Sequence, residues 1–500
     1  MRGHRHRSGR TAATTRTGIW AALAISSVLA IAACGSGHAS RTSHRSATSS
    51  TSASSTSAAT TSAATTSSSA STTASTTSSA AVGLHAVALT VPAANRSGVF
   101  ASPHTVLLPR GWSAQVWALV PEARFEAWSP QGDLLVSSPA EGTVTELSPR
   151  QGTPAAPPQR RTIISGGITN PQGLAFDRIG GHEVLYVAGS SELVRYAWTG
   201  VGVGQPTVVV SGLPDTEPAQ DDVHTLKEVV VGADHTIYVD VGSSSNASPR
   251  TSFNGIPRAS VLAYHPNGKL ERVWATGVRN GDGLSIAPDG SLWTAVNERD
   301  QISYPFHRAY GGSSDAFNRV ITAYVNNHPP DEVARLTPGR DLGWPYCDPD
   351  PDVNTGSPHT SFRYTDLPFV RDAQTNAGGQ RLDCSKLARL EVGLPAHSAP
   401  LGFHFLIGSK LPARWADGAV VAGHGSWDRH PPRPPVVYWM PWNGGDHTLG
   451  APQVLISGFQ EPNGDRWARL ADAVPGPDGA LYVSDDFSGA ILRVVPAAGG

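Results

Sequence analysis

Six times along this chain a turn rich in Asp, Gly and Pro is followed at once by a short run of alternating apolar residues. No other feature restricts the fold so much, because each such run reads as a strand with one face turned to a core. The turns are Ser129 to Asp133, Ile179 to Gly181, Gly232 to His235, Pro288 to Gly290, Ala416 to Gly418 and Pro477 to Gly479. The runs that follow begin at Leu134, Val184, Thr236, Ser291, Ala419 and Ala480. Asp-Gly supplies the positive φ of a hairpin turn, and the strand after it packs between neighbouring four-stranded sheets around an axis. Six copies predict an all-β, six-bladed β-propeller rather than a β-sandwich. The longest gap, Asn297 to Ala416, holds inserted loops, and Val106 to Trp117, ahead of the first copy, is placed to supply the strand that closes the ring.

The N-terminus sets the expected compartment. Arg2, Arg5, Arg7, Arg10 and Arg16 precede an apolar run, Ile19 to Ala33, that is too short to span a bilayer stably and ends in Ile31-Ala32-Ala33-Cys34. That reads as a lipoprotein signal peptide over residues 1–33, with Cys34 acylated; an ordinary secretory leader or an uncleaved anchor are the alternatives. Residues 34–85 are nearly all Ser, Thr and Ala, which offers no apolar face to bury and predicts a disordered linker. Residues 86–500 form the expected propeller, held at the outer face of the cytoplasmic membrane by lipid alone. With a net charge of −2 the chain has no basic field for nucleic acid. Cys347 and Cys384 remain in an oxidising compartment and are expected to form a disulfide, two buried thiols being the bland alternative.

Propellers bind ligands where loops converge at the tunnel mouth, so polar residues just outside the repeated strands are the candidates. Four clusters stand there: Asp221-Asp222-Val223-His224; Gly277 to Leu284, with Arg279 and Asn280; Asn297-Glu298-Arg299-Asp300; and His424 to Arg429, with Arg433 beyond. A histidine has the pKa of a general base, an arginine fork suits a carboxylate, and Asn, Glu and Asp oxygens suit Ca²⁺. Read one at a time, each is as well explained by a loop hydrogen bond or a surface ion pair.

In series they say more. His224 with Val241 to Asn246, Gly-Val-Arg-Asn, Val-Asn-Glu-Arg-Asp, Leu342 to Cys347, Pro395 to Phe403 and His-Gly-Ser-Trp-Asp-Arg fall in an order that resembles the soluble quinoprotein glucose/sorbosone dehydrogenases, from about Val106 to Val495. The resemblance implies pyrroloquinoline quinone (PQQ) with Ca²⁺ and oxidation of an aldose hydroxyl, with electrons passed to a soluble or membrane acceptor. It implies His224 as general base, Arg279 and Asn280 at the quinone oxygens, and Glu298, Arg299 and Asp300 as the stretch whose side-chain or backbone oxygens hold calcium. Arg469 falls near an arginine that pairs with a cofactor carboxylate. The family's cofactor lysine has no matching position; Arg429 or Arg433 is the candidate to stand in for it. Ala396 and His397 occupy a place where some members stack aromatic rings. Two other readings belong to different classes: a calcium-dependent propeller lactonase or esterase drawing on Asn297, Glu298 and Asp300, and a non-catalytic envelope protein that binds sugar or a partner.

Overall fold

In the computed structural model, residues 82–215, 224–357 and 360–497 are described. Cys34, the leader, nearly all of the linker and Asp221 to Val223 lie outside them. The described chain is almost entirely strand and loop, and besides three two-stranded ribbons it forms six larger sheets, antiparallel but for a short parallel edge pair of Arg340–Asp341 in the third blade. Their innermost strands are Glu126–Trp128, Leu174–Ile179, Val229–Val231, Gly283–Ile286, Pro400–Phe405 and Leu470–Pro475. Each packs beside the next, and the last beside the first, so the six close into a ring around a tunnel. The expected six-bladed propeller is the fold observed.

Every one of the six sequence repeats supplies the second strand of its blade: Leu134–Ser138, His182–Ala188, Ile237–Val241, Leu292–Val296, Gly418–Gly423 and Leu481–Asp485. In the first, fourth and sixth copies the turn glycine carries a positive φ, Gly132 at 89°, Gly290 at 80° and Gly479 at 80°. The third copy has His235 at φ 66° in that role. The fifth differs, since a short helix, Ala413–Ala416, precedes its strand. Alternation buries these strands on both faces between neighbouring blades, and Trp117, Trp128 and Tyr482 meet edge to face between the last blade and the first. Burying a side chain of that size stabilises the fold by about 2–3 kcal/mol.

Ring closure is covalently simple. Ser113–Leu119 pairs antiparallel with the C-terminal strand Ala490–Val495, so the last blade takes one strand from the N-terminal side of the fold and three from the C-terminal side. Only the second half of the expected closing segment does this. Thr105–Pro109 pairs instead with Leu84–Ala88, a strand that straddles the expected boundary at residue 85, and Leu107 bridges to Ser457 on the fifth blade. The anticipated insertion lies within the fourth blade. It leaves after Val296, returns for Asp331–Leu336, leaves again and returns at Leu390–Leu394, and its second excursion contains the Cys347–Cys384 disulfide, with Cα atoms 5.7 Å apart. Among the described residues no helix is long and apolar enough to cross a membrane.

This connectivity sorts the loops. The repeat turns join first strands to second strands and so sit at one end of the tunnel. The loops that enter first strands, and those that leave second strands, all gather at the other end. The tunnel between them holds about 370 Å³ and is lined by Glu126, Glu228, His404 and Asp472 among others. At Gly402 a Cβ would fall on the carboxylate of Asp472, which is why that inner strand needs glycine there.

Candidate active site

His224 enters the third blade ahead of Val229, and Ser243 leaves its second strand, so the fold brings the two face to face. His224 Nδ1 lies 2.9 Å from Ser243 Oγ, and that hydroxyl donates to the Ser245 carbonyl at 2.7 Å. With its one proton committed, the hydroxyl accepts from Nδ1–H, which makes Nε2 the basic nitrogen of the ring. Burial holds the imidazole well below its usual pKa, and the charges of Arg279 and Lys227 add to the effect. His224 is therefore neutral at neutral pH.

The remaining expected residues of this group come from the next blade. Arg279 and Asn280 enter its first strand, and the Arg279 carbonyl accepts from Ser243 N at 2.7 Å while the Asn280 carbonyl accepts from Asn297 N at 2.9 Å. Asn246 is the hub. Its Oδ1 accepts from Arg279 Nη2 at 3.0 Å and from Asp300 N at 2.9 Å, and its Nδ2 donates to the Asp300 carbonyl at 3.0 Å. Asp331 plays the same part for the loop opposite, accepting from Glu298 N, Ser398 N and Ala399 N.

The three residues of the expected calcium stretch differ in what they offer. Glu298 is buried, which pushes its carboxyl up to about 7 even with Arg279 beside it. Burial also acts to raise Asp300, but the hydrogen bond from His397 holds it below the usual range. The Arg299 guanidinium is turned away, paired with the buried Asp372, so only its carbonyl is suited to a cation. His397 bridges Asp300 to the Val325 carbonyl.

Across the mouth a second chain of polar groups completes the ring. Asn280 donates to Asp282 at 3.2 Å, Arg124 lies 3.8 Å from Asp282 and 2.6 Å from Asp486, and His424 lies 3.7 Å from Asp486. Arg124, Asp486, Leu226 and Arg469 line one cleft. Arg469 is its distinctive member. Nε and Nη2 are buried yet find no hydrogen-bond partner among the described residues, and the guanidinium stacks 4.1 Å from the ring centre of Trp427. The carboxylates of Asp486 and Asp485 act on it from nearby, and a buried donor left unmatched costs about 1–3 kcal/mol. Arg429 and Arg433 behave otherwise: they brace the proline-rich turn by donating to the carbonyls of Asn326 and Ala396.

Arg124, Lys227, Asp331 and Asp486 were not singled out from sequence, while Asn246 and Asp282 lay inside the candidate motifs with no role assigned to them. Asp486 follows its second strand just as Ser243 to Asn246 and Asn297 to Asp300 follow theirs, so repeat register would have found it. Lys227 had no such cue. Fully buried, it donates to the Thr225 carbonyl at 2.6 Å and sits among Asp240, Asp282 and Arg258.

Fold and mouth together define a six-bladed propeller with a buried histidine and a half-satisfied arginine at one end of its tunnel. Residues 106–496 match the family described as TrAA12-like, and the chain belongs to that family. In fold it is similar to the holo PQQ domain of pyranose dehydrogenase from Coprinopsis cinerea, with a TM-score of 0.62 and 20% identity over 79% of this chain and 97% of that one. The calcium structure of the family AA12 enzyme of Trichoderma reesei gives a TM-score of 0.61 and 18% identity, over 79% of this chain and 97% of its own. An uncharacterized protein of Borreliella burgdorferi is 25% identical over 263 residues, 52% of this chain and 56% of that relative, so the match spans little more than half of it.

Proposed function

We propose that this propeller oxidises a hydroxyl of an aldose, with PQQ and Ca²⁺ as cofactors, outside the cytoplasmic membrane to which acylated Cys34 tethers it. The observation that carries the reading is the His224–Ser243 pair, which presents a neutral base with a fixed tautomer beside Arg279 and Asn280. The PQQ-holding and calcium-holding structures of similar fold support the choice of cofactor.

The residues present fit that cofactor. A flat tri-acid needs cationic partners, and Arg469 has two buried nitrogens without a hydrogen-bond partner among the described residues. Glu298 and Asp300, with the carbonyls of their loop, form an oxygen-rich stretch suited to a hard cation. When bound, PQQ with Ca²⁺ supplies a hydride acceptor polarised by a Lewis acid. His224 Nε2 takes the proton of the sugar hydroxyl. Burial makes the imidazolium so formed acidic, the charges of Arg279 and Lys227 adding to the effect, and the proton returns to water. Arg279 and Asn280 orient the cofactor, and Asn246 and Ser243 hold those two loops at fixed separation.

Titrating the purified protein with PQQ in the presence of Ca²⁺ tests the fit. Arg469→Gln is expected to weaken cofactor affinity about 10- to 100-fold, the worth of a charge-assisted hydrogen bond. Equal affinity in the variant, or no PQQ binding by the wild type, would remove the proposal's basis.

A further inference from the structure

Outside the mouth, the two excursions of the fourth blade bring together a second group of ligating side chains. His328 comes from the first, Asp350 and Asp352 from the second, and one ligand atom from each lies within 4.8 Å of the others. All three are buried, at 3%, 1% and 8% exposure. His328 Nδ1 lies 2.9 Å from the Tyr324 carbonyl, and its ring stacks on that of Tyr324 at 3.9 Å and 9°. A carbonyl only accepts, so Nδ1 carries a proton, and in the neutral ring the lone pair belongs to Nε2. That nitrogen points at the two carboxylates, 3.8 Å from Asp350 Oδ1 and 3.5 Å from Asp352 Oδ2. Neither contact is short enough for a hydrogen bond. Nε2 and Asp350 Oδ2 have no hydrogen-bond partner among the described residues.

The Asp352 N–H donates to Asp350 Oδ1 at 2.8 Å, yet His328 Nε2 and Asp350 Oδ2 find no partner among the described residues, an arrangement that a cation would stabilise. We infer that His328, Asp350 and Asp352 form a binding site for a divalent transition ion of the zinc class. Bonds of about 2.0–2.1 Å set the ligands of a tetrahedral ion roughly 3.4 Å apart, close to the observed separations. The imidazole argues against calcium, which takes an all-oxygen shell. The carbonyl that fixes the outer nitrogen of His328 is the usual support of a metal-bound histidine. Clefts lined by His328 and Asp352 on one side, and by Asp350 and Asp352 on the other, give an ion a way in.

The site would also reach the mouth mechanically. His328 lies three residues beyond Val325, whose carbonyl holds His397, which in turn holds Asp300. An ion at His328 ties the second excursion to that support.

The test uses the whole protein, stripped with chelator and kept in excess Ca²⁺ so that oxygen-rich sites are filled. Co²⁺ is titrated in as the probe and followed by its visible d–d bands, with Zn²⁺ as competitor. The wild type is expected to take up about one equivalent, to show the intense bands of four-coordinate Co²⁺, and to lose them to Zn²⁺. His328→Ala and Asp352→Asn are each expected to weaken Co²⁺ binding at least 100-fold; the second, isosteric, decides the matter if the first fails to fold. No bands in the wild type, or bands unchanged in Asp352→Asn, would overturn the assignment.

Discussion

Gly242 and His224 are in contact so close that a Cβ on the glycine would overlap the Cβ of the histidine and stand 3.1 Å from Asn280 Oδ1. The bare backbone of Gly242 is what lets the base and the Asn280 loop approach each other. Gly242→Ala is therefore expected to displace His224 and to lower turnover about 100-fold, since small misplacements of a reacting group cost that much. The measurement is kcat alongside the melting temperature. Loss of activity with little change in melting locates the effect at the base, and unchanged kcat would mean the contact does not position it.

Ser243 fixes the tautomer of His224 through a hydroxyl that already donates to the Ser245 carbonyl. Ser243→Ala removes the acceptor for Nδ1–H and is expected to reduce kcat about five- to tenfold, the worth of one hydrogen bond, with KM for sugar little changed. A fall in KM-governed binding alone, with kcat intact, would place the serine outside the proton-transfer step.

His424 gives the acid limb of stability a named contributor. Burial lowers it to about 3, Asp486 opposing the shift, against an unfolded value near 6.5. Between those values the unfolded chain binds a proton that the folded protein does not, so stability rises with pH in that window and is lost as pH falls from about 6.5 toward 3. Denaturant unfolding at several pH values is expected to show a slope reduced by about one proton, or about 1.4 kcal/mol per pH unit, in His424→Gln. An unaltered slope would mean that His424 is protonated in the folded state.

The Cys347–Cys384 bond closes a loop with a sequence separation of 37 inside the long excursion. Replacing both cysteines by serine is expected to cost about 3–4 kcal/mol, since the unfolded chain regains the loop's freedom. Chemical denaturation of the two forms at one pH reads the difference directly.

The six blades were legible because each repeat turn and strand is local, and the physics that forms them acts over about ten residues. The closing strand was placed only in part, since pairing between Ser113–Leu119 and Ala490–Val495 is a contact across the whole chain, and Thr105–Pro109 carries the same apolar pattern with a different partner. At the mouth, His224, Arg279 and Asn280 could be read from motif order. Asp331 could not, and Asn246, though part of the Val241 to Asn246 motif, showed no role there, because both join loops from separate excursions and nothing local distinguishes a hub asparagine from a turn asparagine. Arg429 and Arg433, candidates through the resemblance to stand in for a cofactor lysine, donate to nearby carbonyls, whereas Arg469 has two buried nitrogens without a hydrogen-bond partner among the described residues.

The most direct test of the central claim is anaerobic reduction of bound quinone. The protein, loaded with PQQ and Ca²⁺, is mixed with an aldose and the quinone absorbance is followed in wild type and in His224→Ala. The account predicts rapid bleaching by the wild type and a rate at least 100-fold lower in the variant at equal cofactor occupancy. Bleaching at the same rate in both would contradict it.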